Sequence, residues 1–189
     1  MQSKSFRNDP VIPPGPKNQE ALSVEIKLAD QLFDKNDFLD ALVHYEKALE
    51  NYPRSEHALV KAAECYYSCY PDRREKTIEY ATQALNLDSN NTDALLCLAV
   101  SYSDLKRYDT ALSFADSLIS LEPGFGDGWA AMSKAKLGLG LFQGALLAAN
   151  EHVRLHPNEY DAFYERAQVL KAMGRTREAQ DDLERLKAL

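Results

Sequence analysis

From about residue 22 onward, apolar residues recur three and four positions apart in short stretches. Each pair of stretches is split by a polar turn and closed by a proline or a Ser-Asn break. Such spacing predicts helix, turn, helix, stop. The whole unit then recurs. "DFLDALVHYEKALENYPRS", "REKTIEYATQALNLDSNN", "RYDTALSFADSLISLEPGF" and "LFQGALLAANEHVRLHPNE" stack so that Ala41, Thr77, Ala111 and Ala145 form one column and Pro53, Ser89, Pro123 and Pro157 another. The steps along the second column are 36, 34 and 34 residues. A fixed period of this size predicts an all-α solenoid of helical hairpins rather than a closed globule around one catalytic cleft.

The columns carry packing information. Small residues occupy position eight of the unit (Ala29, Ala63, Ala99, Ser133, Ala167) and position twenty (Ala41, Thr77, Ala111, Ala145, Ala179). They let two helices approach closely. Larger residues stand beside them, Leu28, Leu98, Met132 and Arg166 at position seven and Leu32, Tyr66, Tyr102 and Leu170 at position eleven, so that ridges of one helix enter grooves of the next. With these residues in register, the chain resembles the tetratricopeptide repeat family. That family's pattern has an aromatic at four, a small residue at eight, Tyr at eleven, Ala at twenty and Pro at thirty-two.

The resemblance covers five units, about 22–55, 56–91, 92–125, 126–159 and 160–189, within a domain spanning 21–189. It implies a right-handed superhelix of helix-turn-helix repeats. Departures are local. Glu25 replaces the first aromatic, repeat two has two extra residues in "SCYPDRREK", and His152 and Leu118 stand at position twenty-seven, where the family has Ala. Trp129 fills the aromatic position of repeat four, which predicts its burial between repeats three and four.

In this family the first helix of each unit lines a concave groove. Carried over by position, the expected lining is Ile26, Val60, Leu96, Ala130 and Tyr164; Asp30, Glu64, Val100, Lys134 and Gln168; and Phe33, Tyr67, Leu137 and Lys171, with Ser103 in the same series. The expected groove is apolar along its length, acidic at its N-terminal end and basic at its C-terminal end. It suits an extended or helical peptide with spaced apolar anchors; the competing reading is that some of these side chains pack against the neighbouring repeat. The family's clamp for a chaperone's acidic C-terminus needs Lys and Asn at positions five and nine. Ile26 and Asp30, Val60 and Glu64, and Leu96 and Val100 do not supply them.

Composition narrows the partners. A net charge of −7 and a sequence pI near 5.1 argue against nucleic acid, which selects clustered Lys and Arg. No run approaches the 18 or more apolar residues of a membrane span, and "MQSKSFRNDP" lacks a signal peptide's apolar core. Three cysteines give no disulfide framework and point to free thiols in a reducing compartment, with cytosol as the default and nucleus or cilium equally compatible.

Residues 1–20 differ in kind. "NDPVIPPGPKN" holds four of the eight prolines and predicts an extended leader, either a free linker or a segment whose Val11 and Ile12 dock on the first hairpin or a partner, with Asn18 capping the first helix. Candidate chemistry is sparse. His152 and His156, one helical turn apart, have metal-ligand spacing but no identifiable third ligand nearby, and His156 reads instead as a helix-end residue beside Pro157, where the dipole favours it. Cys65, Cys69 and Cys97 read as small apolar core residues. "PGFGDGW" lacks the Lys-Ser/Thr of a phosphate loop, and Asp93, Asp127 and Asp161 recur at helix starts, where capping and the helix dipole favour them. Neither a catalytic constellation nor a cofactor or metal site is therefore expected.

The resulting expectation is a non-catalytic interaction module or scaffold subunit that binds a protein partner through a peptide or helix in the groove. The alternative is an assembly chaperone that shields a basic or aggregation-prone client. "REAQDDLERLKAL" ends in Leu183, Leu186 and Leu189 along one side. This stripe either packs back on Phe163, Ala167 and Leu170 or docks on a partner subunit or a second copy of the chain.

Overall fold

The computed structural model describes residues 16–185, with side chains from Val24 onward. Its helices pair as five hairpins: α1 (Pro16–Phe33) with α2 (Phe38–Asn51), α3 (Glu56–Cys69) with α4 (Arg74–Leu85), α5 (Thr92–Asp104) with α6 (Tyr108–Leu121), α7 (Gly126–Gly138) with α8 (Phe142–Leu155), and α9 (Tyr160–Ala172) with α10 (Thr176–Arg185). Among the described residues there is no strand. Each helix packs on the next in sequence, and α3, α5 and α7 also pack each on the following odd-numbered helix. Among the described residues no comparable contact joins two even-numbered helices, so the odd helices form the inner layer of a curved stack.

The small-residue columns explain this closeness. All ten side chains at positions eight and twenty are buried, eight of them alanine, with Thr77 and Ser133 as the exceptions. Ser133 stays polar without cost because its hydroxyl donates to the Ala145 carbonyl across the α7–α8 contact at 3.1 Å. Leu98, Met132 and Leu170 join the core as expected. Leu28 does not: it is 40% exposed, no earlier hairpin standing against that side of α1 among the described residues. Glu25, in the aromatic position, is held by α2 instead, accepting from His44 at 2.7 Å and from Lys47.

The turns inside the hairpins share one backbone solution. Asn36, Lys106, Gly140 and Gly174 all have φ between 58° and 74°. The next residue in each case donates back to the first helix, Asp37 to Leu32, Arg107 to Tyr102, Leu141 to Lys136 and Arg175 to Leu170. This is the left-handed C-terminal cap that glycine suits best. Repeat two solves its turn differently. Its extra residues bring Arg74 inward, where the guanidinium stacks on Tyr67 and donates to the Tyr67 carbonyl at 2.6 Å and to Asp104 at 2.8 Å.

The extended leader needs correction at its boundary. Helix α1 starts at Pro16, so Pro16–Glu20 are helical and Asn18 lies within the first turn rather than capping it. Proline at the first helical position has no partner to lose and a pre-set φ, so it starts a helix rather than preventing one. Val11 and Ile12 lie outside the described residues.

Candidate functional site

The inner layer encloses a groove of about 470 Å³. Of the expected lining, Phe33, Glu64, Tyr67, Leu96, Val100, Ala130 and Lys134 meet there, contributed by α1, α3, α5 and α7. An adjoining hollow of about 280 Å³ gathers Lys134, Leu137, Tyr164 and Gln168. Helical periodicity produces this convergence: the residues are successive faces of odd-numbered helices that stack side by side.

Some positions are otherwise committed. Val60 is 4% exposed and belongs to the N-terminal core, and Ile26 packs against that same core. Val60 is therefore closed off by its core neighbours, and Ile26 gives part of its surface to them. Asp30 accepts from the hydroxyl of buried Tyr45 at 2.6 Å and pairs with His57 at 2.7 Å. Burial alone would raise the Asp30 pKa, but these two partners outweigh it and hold the carboxyl below its usual range. Ser103 is buried, and exposed Lys171 lines neither hollow.

The expected acidic-to-basic polarity is also corrected. Lys134 is bound to Asp104 at 2.7 Å, and this bond holds its pKa up despite burial. Asp127, Asp161 and Glu165 line the same groove. With Glu64, whose pKa burial raises even against the Lys61 contact at 2.8 Å, four carboxylates face one lysine along the lining. The C-terminal half is therefore acidic too. Glu64 stands at position nine as expected, whereas Asp127 and Asp161 stand at position two and Glu165 at position six of their units; position two is also a groove position of the family, and its recurrent Asp was the available signal. Asp127 and Asp161 lie in first turns without capping, since the N-caps are Phe125 and Glu159.

Trp129 is half-buried, not enclosed, and its indole donates to the Pro123 carbonyl at 2.8 Å. Leu183 packs on Ala167, Leu170 and Ala179, while Leu186 and Leu189 lie outside the described residues. Cys65 and Cys97 are buried in the core; burial pushes the Cys65 thiol up to about 12 and Cys97 higher still. Among the described residues the potential metal ligands that converge are Asp127, His152 and His156, with one donor atom of each within 4.8 Å of the others. The third residue absent from the sequence neighbourhood of the two histidines is supplied by the start of α7.

The last unit matches the family model described as tetratricopeptide repeat over residues 161–189. No curated protein matches the chain in sequence. Among solved structures, a tetratricopeptide repeat protein from Parabacteroides merdae is similar at a TM-score of 0.77 and 18% identity, covering 92% of this chain and 67% of that one. MamA from Desulfovibrio magneticus is similar at 0.74 and 13%, covering 93% and 96%. A thermophilic tetratricopeptide repeat protein of Thermus thermophilus is similar at 0.74 and 18%, covering 87% and 89%. At such identities the likeness is one of fold. With a family match confined to its last hairpin and a like fold throughout, the chain is an all-α helical repeat solenoid similar to tetratricopeptide repeat proteins.

Proposed function

We propose that the array is a protein-interaction scaffold whose concave groove binds an extended segment of a partner, one with spaced apolar side chains flanked by lysine or arginine. The observation that carries this is the groove's lining, which brings Leu96, Val100, Ala130 and Tyr67 together with the carboxylates of Glu64, Asp127, Asp161 and Glu165. An apolar lining of this kind rewards burial of apolar anchors. The carboxylates select positive charge and repel acidic segments. The family's general use as interaction modules supports the same reading.

The test uses synthetic peptides of about four helical turns' extended length, with leucine or phenylalanine at spaced positions and lysine or arginine between them, against versions carrying glutamate instead. Fluorescence anisotropy should detect binding of the basic peptides only, weakening with salt and lost in Leu96→Glu/Ala130→Glu at unchanged helical circular dichroism. Equal binding of acidic peptides, or undiminished binding by the folded variant, would overturn the proposal.

A further inference from the structure

The end of α8 presents two imidazoles to the start of α7. His152 is 2% exposed, and its Nε2 is buried without any hydrogen-bond partner. Its Nδ1 faces the Glu165 carboxylate at 3.1 Å. With the ring proton on Nδ1 and donated to that carboxylate, Nε2 carries a buried lone pair with no protein partner. Leaving such a group unmatched costs about 1–3 kcal/mol, and a buried polar atom in that state calls for a water or an ion.

His156, the C-cap of α8, is arranged in the same way. Its Nδ1 faces Glu159 at 2.8 Å, so its Nε2 is also the free nitrogen. That Nε2 lies directly against Gly126, where a Cβ would come within 2.0 Å of it. The two rings stand edge to face with centroids 5.4 Å apart. Asp127, the next residue of α7, completes the group, one donor atom of each residue lying within 4.8 Å of the others. A tetrahedral cation with bonds of about 2.0–2.2 Å needs donors roughly 3.3 Å apart, so small rotations of side chains close the site.

We propose that Asp127, His152 and His156 bind one divalent transition-metal cation of the zinc type. The donor set argues for that class: two imidazole nitrogens and one carboxylate suit zinc, whereas calcium and magnesium require oxygen shells and copper(I) prefers sulfur. Carboxylates on the far nitrogens, Glu165 for His152 and Glu159 for His156, are the outer partners that orient ligating histidines and raise their basicity. Three protein ligands leave a fourth position for water. The bound ion braces the first turn of α7 to the last turn of α8, and through Glu165 it reaches α9.

The experiment uses the full chain, freed of metal, with Zn²⁺ and Co²⁺ chloride as probes. Calorimetry should show one equivalent of Zn²⁺ bound. The Co²⁺ form should give ligand-field bands of tetrahedral N/O coordination without thiolate charge-transfer bands, which separates this site from the cysteines. Asp127→Asn and His156→Gln, both on accessible side chains, should each weaken binding by at least about tenfold, and Glu165→Gln by about tenfold through its hold on His152. Zn²⁺ should raise the melting temperature of the parent but not of Asp127→Asn/His156→Gln. Absence of Zn²⁺ binding, undiminished binding in that folded double variant, or a thiolate-type Co²⁺ spectrum would each overturn the proposal.

Discussion

Lys106→Gly should make the protein more stable, although it deletes a side chain. Lys106 has φ of 58° and caps α5 in the left-handed region, where its Cβ crowds the following carbonyl. That crowding costs about 1–2 kcal/mol in a residue with a Cβ. Glycine removes it but adds freedom to the unfolded chain, a loss of about 0.4–1 kcal/mol. The exposed ammonium of Lys106 makes no ion pair or hydrogen bond among the described residues, so nothing offsets the gain. The difference is a stabilisation of about 0.5–1 kcal/mol. Repeats four and five already use Gly140 and Gly174 at the same point, with φ of 73° and 74°. The reciprocal change Gly140→Ala should therefore destabilise by about 1 kcal/mol, since space is open around a Cβ there and only the backbone objects. Urea midpoints at constant m-value measure both, and hydrogen exchange should place the Lys106→Gly gain in the α5–α6 hairpin, as expected of a nearest-neighbour array. If Lys106→Gly lowers the midpoint while Gly140→Ala is silent, the left-handed cap is not what limits this turn.

Trp129→Ala should cost about 2–3 kcal/mol, below the range for an enclosed tryptophan, because the ring is only half-buried and also loses its bond to the Pro123 carbonyl. As the chain's one tryptophan, it should emit at an intermediate wavelength and shift red in urea; a fully exposed native spectrum would contradict the packing. Asp30 has a folded-state pKa below its unfolded value, so its stabilisation is present above the ordinary carboxylate range and is lost as pH falls through the folded pKa. Tyr45→Phe and Asp30→Asn should each shrink the loss of stability on acidification measured by thermal melts, and an unchanged acid limb would remove Asp30 as its source.

The hairpins and their contact columns were legible in the sequence because they depend on short-range regularities. Apolar spacing of three and four sets a helical face, a Pro or Gly ends it, and alanine at Ala63, Ala99 or Ala145 permits the next helix to approach whatever the rest of the chain does. Pro16 misled only through being read as a breaker, when its position at a helix start makes it a nucleating residue. The site was legible in part. Tyr67, Leu96, Val100 and Ala130 reach the groove, but periodicity gives Val60 and Leu96 the same rank, and only the packing of the first hairpin buries one and leaves the other accessible. Charge behaved likewise. Lys134 reads as a basic groove residue until Asp104, on another helix, is found to neutralise it at 2.7 Å. His152 and His156 announce themselves one turn apart, whereas Asp127 joins them from a different helix because the α7–α8 hairpin folds its open ends together. Local pattern determines which face each helix buries. The curvature and pitch of the stack decide which distant side chains meet, and those follow from many side-chain volumes acting at once, which no single stretch of sequence contains.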